Sequence, residues 1–304
     1  MKRLGVIVNP GSGNGAGKLI GEIAITELQR EAEVLNLSGN DLASSLENAK
    51  QALDDCLLDG LVVVGGDGMV HHAINLVAQT DIPFGIVAAG TGNDSARTLG
   101  LPIHDGIASA RVILSNLNQP RVVDAVSATT STGQFWFFGT LSAGFEALVN
   151  QRANTMKWPK GPARYQVAMV AELAKFKPIQ YKAEIDGEVR EFEAMLCAVC
   201  NSPQFGGGMK VVPFADVTDG FIELFIVHKM SRFELIKVFP KVYSGGHVDH
   251  PAVEIIRAKK VKIDAGKMPA YSDGEAVGFS PISTEVVQGA LKVFATSARN
   301  QSMA

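Results

Sequence analysis

The first part of the chain alternates apolar runs with amphipathic stretches. Residues 61–64 form a continuous apolar run, which is typical of a strand buried on both faces. The run stops at Gly65, and apolar residues then recur at helical spacing as far as Val77. A second apolar run, residues 84–89, stops at Gly90 and leads into another predicted helix. The pattern predicts two successive strand–glycine loop–helix units, whose loops lie at the same edge of a parallel sheet.

The same alternation continues on both sides of these two units. It predicts strands at residues 4–8, 33–37 and 121–126 and helices at residues 21–30, 41–58 and 107–114. Asp41 is suitably placed to cap the helix that it begins. Strands and helices in this order predict an α/β domain built on a doubly wound parallel sheet.

The pattern changes near residue 124, where short strands and turn signals become dominant. Strands are expected at residues 124–129, 134–140, 179–185, 189–201, 220–228, 258–264 and 291–295, and helices at residues 164–176 and 232–242. Asp186-Gly187 is a strong hairpin signal. We therefore expect a second, mostly antiparallel β domain, with domain limits at residues 1–123 and 124–295. The polar tail, residues 296–304, is expected to pack back on the first domain or to fray.

Each of the two central glycine loops carries a carboxylate, Asp67 in one and Asp94 in the other. Glycines let a backbone approach a ligand closely, and free N–H groups at helix starts favour anions. A carboxylate that faced a phosphate directly would repel it, whereas a hard cation such as Mg²⁺ between the two would remove the repulsion. The sequence therefore predicts a nucleotide phosphate site with a divalent metal ion at this edge of the sheet.

A third glycine-rich loop follows the first predicted strand, at residues 9–18. It fits neither of two phosphate-binding motifs completely. The P-loop requires glycine where Ser12 stands and serine or threonine where Leu19 stands. The dinucleotide fingerprint requires an acid after the second strand, where Asn36 stands. What remains is a loop rich in backbone donors at the same sheet edge as the other two.

Composition restricts the function without naming it. The chain has 304 residues and a net charge of −3, which gives no overall attraction for nucleic acid. No apolar run reaches the roughly 18–20 residues of a membrane span, and the first strand begins too early for a signal peptide, so a cytoplasmic protein is expected. Cys197 and Cys200 lie three positions apart in a predicted strand, which favours core packing over a shared metal ion.

Several short motifs occur in a fixed order along nearly the whole chain. They are Asn9-Pro10-Gly11-Ser12-Gly13, Gly65-Gly66-Asp67-Gly68, Gly90-Thr91-Gly92-Asn93-Asp94 with Arg97, Gly206-Gly207-Gly208-Met209, Pro213 with Ala215, Asp219-Gly220, Gly246-His247 and Asp273-Gly274-Glu275. In this order and spacing they resemble the diacylglycerol kinase catalytic-domain family, which also contains sphingosine kinases and bacterial lipid kinases.

The resemblance implies an N-terminal nucleotide domain like that of phosphofructokinases and NAD kinases, followed by a C-terminal β-sandwich that holds a lipid. The implied reaction transfers the γ-phosphoryl group of ATP, with Mg²⁺ as cofactor, to a hydroxyl of diacylglycerol or a similar lipid. The implied partner is a lipid substrate at the membrane surface, reached by peripheral and transient contact. The oligomeric state stays open, with a homodimer as one option.

The resemblance also assigns roles to individual residues. ATP would contact Asn9, Pro10, Gly11, Ser12 and Gly13, then Gly65, Gly66, Asp67, Gly68, Met69 and His72, and finally Gly90, Thr91 and Asn93. Asp67, Asp94 and Arg97 would form a catalytic charge network around Mg²⁺. Asp216, Asp219 and the backbone of Phe221 would hold a second, structural Mg²⁺.

Glu275 would be the general base. The chain contains a second Asp-Gly-Glu, at residues 186–188, which looks like an ordinary hairpin turn. Local sequence does not distinguish the two tripeptides, and only their order along the chain assigns the base to Glu275.

The predicted nucleotide site departs from the family pattern at three places. Met69 stands where threonine is usual, His71-His72 where Asn-Glu is usual, and Asn14 where a basic residue often follows the first loop. Two alternatives therefore stay open: an NAD-kinase-like enzyme, which shares the Gly-Gly-Asp-Gly loop, and a nucleotide-binding regulator without turnover. The β-rich second half argues against the first alternative.

Overall fold

The structure is a computed structural model that describes residues 1–159, 164, 167–168, 171–172 and 177–296. The described residues form two units, Met1–Val123 with residues 289–296, and Asp124–Gln288. The chain passes from one unit to the other within two long strands, Arg121–Thr130 and Ile282–Val293. The predicted packing of the tail lies outside the described residues from residue 297 onward.

The first unit is an α/β domain around a parallel sheet. Its strands are β1 (Lys2–Val8), β2 (Ala32–Asn36), β3 (Gly60–Gly65) and β4 (Phe84–Ala88), and its helices are α1 (Ala16–Leu28), α2 (Leu42–Asp54), α3 (Asp67–Val77), α4 (Asp94–Leu99) and α5 (Gly106–Ser115). The strands lie side by side in the order β4-β3-β1-β2, all parallel. Every residue of β3 and β4 is buried, as their continuous apolar runs predict.

Strand register sets the position of the loops. Val8 pairs with Val64 and Gly65 pairs with Ala88, so β1, β3 and β4 end level with one another. The loops that follow these three strands therefore begin at one edge of the sheet, as the parallel arrangement predicts. Asp41 is confirmed as the cap of α2, because its side chain accepts the N–H of Ser44 while its own N–H donates to Ser44 Oγ.

The second unit is built from antiparallel strands and is a β-sandwich. Its strands are β5 (Arg121–Thr130), β6 (Gly133–Phe137), β7 (Thr140–Ala143), β8 (Ile179–Ile185), β9 (Glu188–Cys200), β10 (Ile222–His228), β11 (Val253–Ala258), β12 (Lys260–Asp264), β13 (Pro269–Ser272), β14 (Glu275–Phe279) and β15 (Ile282–Val293). Helices α6 (Phe145–Thr155) and α7 (Arg232–Val238) also belong to it, and the described residues 164, 167–168 and 171–172 are helical. None of the helices in the described ranges is both long and apolar enough to cross a bilayer.

Strand β9 separates two apolar cores in this unit. Cys197 and Val199 belong to one buried cluster, and Ala198 and Cys200 belong to the other. Successive residues of a strand point to opposite faces, so the strand contributes alternately to both cores. The prediction that the two cysteines pack in the core on opposite faces is confirmed.

Several element boundaries of the second unit differ from the sequence predictions. Helix α6 and the hairpin β13–β14 were not predicted, and the strand expected at residues 134–140 is divided between β6 and β7. The helix expected at residues 232–242 ends at Val238 and continues as a 3₁₀ turn, because Pro240 lacks the N–H that an α-helix would need. The helix expected at residues 164–176 lies mostly outside the described residues.

Candidate active site

Three glycine loops of the first unit meet beyond the ends of β1, β3 and β4. A Cβ added at Gly13 would lie 2.3 Å from the carbonyl oxygen of Ala89, and one at Gly90 would lie 2.4 Å from the Cα of Gly66. Both distances are too short for any residue with a side chain. Gly13 also has φ +58°, a conformation that glycine adopts without strain. The glycines therefore allow the three backbones to pack directly against one another.

The first loop is held by its own asparagine. Asn9 Oδ1 accepts the N–H of Gly11 at 3.0 Å, and its carbonyl oxygen accepts the N–H of Ser12 at 3.2 Å. The N–H of Asn9 donates to the carbonyl oxygen of Val64 on the neighbouring strand. Pro10 lies inside this turn, and a short 3₁₀ segment, Ser12–Gly15, then leads into α1. The predicted nucleotide residues of this loop are thus placed beside the second loop.

The second loop carries Gly65, Gly66, Asp67 and Gly68 into the first turn of α3. Gly66 is the N-cap and provides no side chain, so the helix start keeps free N–H groups, which favour an anion. Asp67 Oδ1 accepts the N–H of Ser95 at 3.0 Å, a bond that joins this loop to the third. The predicted association of the two acidic loops is therefore present in the structure.

Met69 and the two histidines that follow lie along α3. Met69 is buried, and a Cβ at Gly65 would lie 2.5 Å from its Cγ, so its side chain packs beneath the loop. His72 is half-buried. His71 is buried, and this burial, with a smaller contribution from the charge of His72, lowers the pKa of His71 to about 4. Both unusual residues at positions 69 and 71 thus act as core residues of the helix.

The third loop is shaped by Asn93, which is buried and has φ +58°. Its Oδ1 accepts the N–H of Gly90 at 2.9 Å, and its Nδ2 donates to the carbonyl oxygen of the same residue at 2.7 Å. These two bonds close the turn around Thr91, which is exposed. Asp94 then begins α4, and Arg97 Nε donates to the carbonyl oxygen of Gly92 at 3.2 Å. Arg97 therefore stabilises the turn that leads into Asp94.

Asp67 and Asp94 converge on one point. A Cβ built at Gly92 would lie 2.8 Å from Asp67 Oδ2 and 3.8 Å from Asp94 Oδ2. Two carboxylate oxygens directed at the same small space fit a hard cation, and Mg²⁺ in phosphate sites is usually held by one or two carboxylates, with water and substrate oxygens completing its shell. The residues present therefore fit a nucleotide-bound Mg²⁺.

The predicted structural metal site lies in the second unit, in the turn before β10. Asp216 Oδ1 accepts the N–H and the hydroxyl of Thr218, and Asp219 Oδ1 accepts the N–H of Phe221. Asp219 Oδ2 forms an ion pair with Arg257 at 2.5 Å, and the guanidinium lies 4.1 Å from the centroid of the Phe221 ring. The guanidinium of Arg257 thus offsets part of the negative charge of this turn.

Both carboxylate oxygens of Asp219 have internal partners in this turn, the N–H of Phe221 and the guanidinium of Arg257. Among the described residues no group of three or more His, Cys, Asp or Glu side chains is placed to hold a metal. The second ion at Asp216, Asp219 and Phe221 stays a prediction.

Glu223 is an acid of this region that sequence reasoning missed. It is 2% exposed, and its Oε2 makes no hydrogen bond with a described residue. Burial first, and then the charge of Asp219, raises the pKa of Glu223 to about 7, while Arg257 opposes the shift. In the sequence Glu223 looks like an ordinary polar residue of a strand. Its surroundings become visible only in the structure, where it pairs across the strands with Arg257.

Glu275 is the first residue of β14 and follows a two-residue turn. Asp273 has φ +50° and Gly274 has φ +90°, the conformation of a tight hairpin turn. Asp186 and Gly187 show the same conformation, with φ +48° and +93°. The two Asp-Gly-Glu tripeptides are therefore the same kind of turn, although only the one at residues 186–188 was predicted as a hairpin.

The surroundings of the two turns differ. Asp273 Oδ1 accepts the N–H of Thr140 at 2.8 Å, and its Oδ2 accepts the N–H groups of Phe138 and Gly139. Glu275 is half-buried, and no described residue hydrogen-bonds to its carboxylate, so the side chain keeps free acceptor atoms. Glu188 in the other turn is exposed. The structure thus holds the backbone beside Glu275 firmly while leaving its carboxylate available.

A chain of hydrogen bonds connects the Glu275 turn with the acidic turn within the second unit. Asn201, which is fully buried, donates through Nδ2 to the carbonyl oxygens of Phe138 and Asp124. Asp124 Oδ2 in turn accepts the N–H of Gly220 at 2.7 Å. Neither Asn201 nor Asp124 could be identified from the sequence, because both hydrogen-bond to partners more than 60 positions away. In this structure Asp67, Asp94 and Arg97 belong to the first unit and Glu275 to the second.

Comparisons with known proteins agree with these features. Residues 3–128 match the family model described as the diacylglycerol kinase catalytic domain, and residues 139–295 match the model described as the YegS C-terminal NAD kinase beta sandwich-like domain. A protein named diacylglycerol kinase from Mycobacterium tuberculosis is 36% identical over 290 residues, covering 94% of this chain and 93% of that protein. One of the same name from Bacillus subtilis is 25% identical over 284 residues, covering 92% of each.

Solved structures show the same fold. A crystal structure described as a diacylglycerol kinase from Bacillus anthracis superposes with a TM-score of 0.74, covers 98% of each chain and is 21% identical. The family models between them account for nearly the whole chain, and the Mycobacterium relative matches 94% of it at 36% identity. The chain therefore belongs to the diacylglycerol kinase catalytic-domain family.

Proposed function

We propose that the chain is an ATP- and Mg²⁺-dependent lipid kinase that transfers the γ-phosphoryl group to a hydroxyl of diacylglycerol or a similar lipid. The observation that supports this most is the convergence of Asp67 and Asp94 beside Gly92, among three loops whose glycines leave backbone N–H groups accessible. Family membership supports a kinase, and relatives named diacylglycerol kinase support a lipid acceptor.

The three loops would bind the triphosphate mainly through their backbones. The start of α3 after Gly66 offers free N–H groups to phosphate oxygens, and the loop at residues 9–13 lies beside it. Asp67 and Asp94 would hold Mg²⁺, which when bound supplies neutralisation of the charge on the phosphates. Arg97 keeps the Gly92 turn in place and adds positive charge near the two carboxylates.

Glu275 would act on the acceptor. A lipid alcohol has a very high pKa, so a carboxylate that takes its proton favours attack on the γ-phosphorus. As the new O–P bond forms, the bond from the γ-phosphorus to the bridging oxygen breaks, ADP leaves and Glu275 holds the proton. Asp273 would position this base, because its bonds to the backbone of residues 138–140 fix the turn two residues away.

The three departures from the family pattern do not remove the backbone donors on which this proposal depends. Met69 packs into the core beneath Gly65, and its N–H donates within the first turn of α3. Asn14 has φ +59° and shapes the backbone before α1. A hydroxyl or a basic group is missing at these positions, so a reduced rate is expected rather than a lost site.

The proposal is tested by incubating the purified full-length chain with γ-labelled ATP, Mg²⁺ and a panel of lipids that includes diacylglycerol, phosphatidylglycerol and a sphingoid base. We expect a labelled phospholipid from at least one acceptor. Glu275→Gln should lower kcat by roughly 10²–10⁴-fold, the range for loss of a general base. Glu188→Gln is the matched control, since it changes the same residue type after the same kind of turn and should keep full activity.

Other results would assign another function. ATP binding without transfer to any lipid would favour the regulatory alternative, and formation of NADP from NAD would favour an NAD-kinase-like enzyme. Equal activity of the Glu275→Gln and Glu188→Gln variants would remove Glu275 from the mechanism. We further propose that the enzyme works in the cytoplasm and meets its lipid by transient contact with the membrane.

A further inference from the structure

Helix α7 of the second unit has apolar residues on two faces. Leu235 packs against the buried cluster that includes Met195 and Phe225, and Val238 is buried. Phe233 and Ile236 face outward and are 81% and 57% exposed. Residues three positions apart lie on the same side of a helix, so these two side chains form one apolar ridge. A helix that is apolar on its solvent side as well as on its core side is typical of a surface that binds a partner.

The apolar surface continues beyond the helix. In the 3₁₀ turn that follows, Tyr243 is 44% exposed, and in the loop before β10 Phe214 is 61% exposed. The two segments are joined, because the N–H of Lys210 donates to the carbonyl oxygen of Val242 at 3.0 Å and Pro213 lies against Gly245. Exposed aromatic rings with a polar end, such as that of tyrosine, suit the boundary between water and a bilayer.

Lysines surround this apolar surface without ion pairs. Lys210, Lys237 and Lys241 are exposed, and none of them pairs with an acid among the described residues. The one acid of α7, Glu234, lies 3.4 Å from His250. The net charge of the whole chain is −3, so any attraction to an anionic surface must come from this local group rather than from the molecule as a whole.

We propose that these residues form a docking face that binds an anionic lipid bilayer. The docking face consists of Phe214, Phe233, Ile236 and Tyr243 with Lys210, Lys237 and Lys241. Apolar side chains would enter the headgroup region while the lysines meet lipid phosphates, the combination by which interfacial helices bind membranes. A second copy of the chain is a less suitable occupant, because a two-fold contact through this face would bring lysines against lysines.

This inference rests on the proposed function, because a lipid with long acyl chains stays in the membrane and a kinase that phosphorylates it must bind there. The test uses the full-length chain in a flotation assay with vesicles of phosphatidylcholine alone or mixed with phosphatidylglycerol. The wild type should bind the mixed vesicles and bind less as salt rises. Phe233→Ser with Ile236→Ser should weaken binding by at least about tenfold, and Lys237→Glu with Lys241→Glu by a similar factor.

A matched control separates the docking face from general surface hydrophobicity. Val189 on β9 is 57% exposed, the same fraction as Ile236, and Val189→Ser should bind vesicles as the wild type does. Vesicle binding that is unchanged in both double variants would overturn the proposal. So would a shift in oligomeric state caused by the Phe233 and Ile236 changes, measured by light scattering, because the face would then be an interface between copies.

A kinase assay with two acceptors distinguishes this proposal from the proposed function. A short-chain diacylglycerol dispersed in water needs no docking, so the Phe233 and Ile236 double variant should phosphorylate it at the wild-type rate. The same variant should lose activity on long-chain diacylglycerol embedded in mixed vesicles. If the wild type phosphorylates neither acceptor but binds vesicles as expected, the kinase proposal fails and the docking face stands. If both acceptors are used equally by wild type and variant, the docking face fails alone.

Discussion

Replacing Gly92 by alanine tests whether the space between the two carboxylates is the metal position. The new Cβ would lie 2.8 Å from Asp67 Oδ2, so that oxygen must retreat by about 0.6 Å to reach the 3.4 Å at which ordinary van der Waals contact begins. The 3.8 Å distance to Asp94 Oδ2 needs no adjustment. The substitution therefore displaces one carboxylate and fills the space that both face.

The expected effect falls on catalysis rather than on stability. Mg²⁺ tolerates little deviation from ligand distances of about 2.0–2.1 Å, so a shift of this size is large for the ion. Misplacement of catalytic groups on the scale of 1 Å costs roughly 100-fold in rate, which corresponds to about 2.7 kcal/mol of transition-state stabilisation. The free energy of unfolding should change by less than about 1 kcal/mol, because Gly92 is only half-buried and alanine restricts the unfolded chain.

The assay measures kcat and the Mg²⁺ concentration for half-maximal rate with diacylglycerol as acceptor, beside a urea unfolding curve. Gly246→Ala is the control, since its Cβ would lie 3.5 Å from the nearest atom and the residue is outside the three loops. Gly92→Ala should lower kcat and raise the Mg²⁺ requirement, while Gly246→Ala should change neither. Wild-type kcat and Mg²⁺ dependence in Gly92→Ala would refute the placement of the ion.

Two further predictions concern His71 and Asp273. Burial lowers the pKa of His71 to about 4, so at pH values between about 4 and 6.5 the unfolded chain binds a proton there that the folded chain does not. The free energy of unfolding therefore keeps the full contribution of neutral His71 above about pH 6.5. It falls as the pH drops towards 4, by up to about 3 kcal/mol. His71→Gln should show a shallower loss of unfolding free energy as the pH falls, measured by urea titrations. Asp273→Asn should cost about 1–3 kcal/mol of stability and also lower kcat, because it weakens three bonds that fix the Glu275 turn.

Each of these has a result that would contradict it. An unchanged pH slope in His71→Gln would mean that another group titrates there. For the second prediction Asp186→Asn is the matched control, since Asp186 accepts backbone N–H groups in an equivalent turn that lacks a base. If both aspartate variants lost stability and neither lost activity, the Asp273 turn would have no part in positioning Glu275.

The parallel sheet and its acidic loops could be predicted because their signals are local. A continuous apolar run followed by glycines specifies both a buried strand and the loop after it, as at residues 61–66, and parallel strands bring successive loops to one edge. The sequence also predicted that Asp67 and Asp94 would lie together. It could not predict the Gly13 and Gly90 backbone contacts, which depend on how three loops pack in space.

The second unit was harder to predict, because its pairings join distant segments. Strands β13 and β14 are only four and five residues long, and Asp273-Gly274 could be seen as a turn only once β13 paired with β7. Glu223 and Asn201 gave no signal, since burial inside a sandwich depends on partners elsewhere in the chain. Met69 departs from the family pattern by its missing hydroxyl, and in the structure its side chain fills core space under Gly65.

The central claim is that a divalent ion screens Asp67 and Asp94 from a bound triphosphate. Calorimetric titration of ATP into the full-length chain, with Mg²⁺ and with a chelator, tests it directly. The wild type should bind ATP at least about tenfold more tightly with Mg²⁺ than with the chelator. In the Asp67→Asn, Asp94→Asn double variant the two affinities should lie closer together, because neutral amides no longer repel the phosphates. Equal affinity of the wild type for ATP with and without Mg²⁺ would contradict the account.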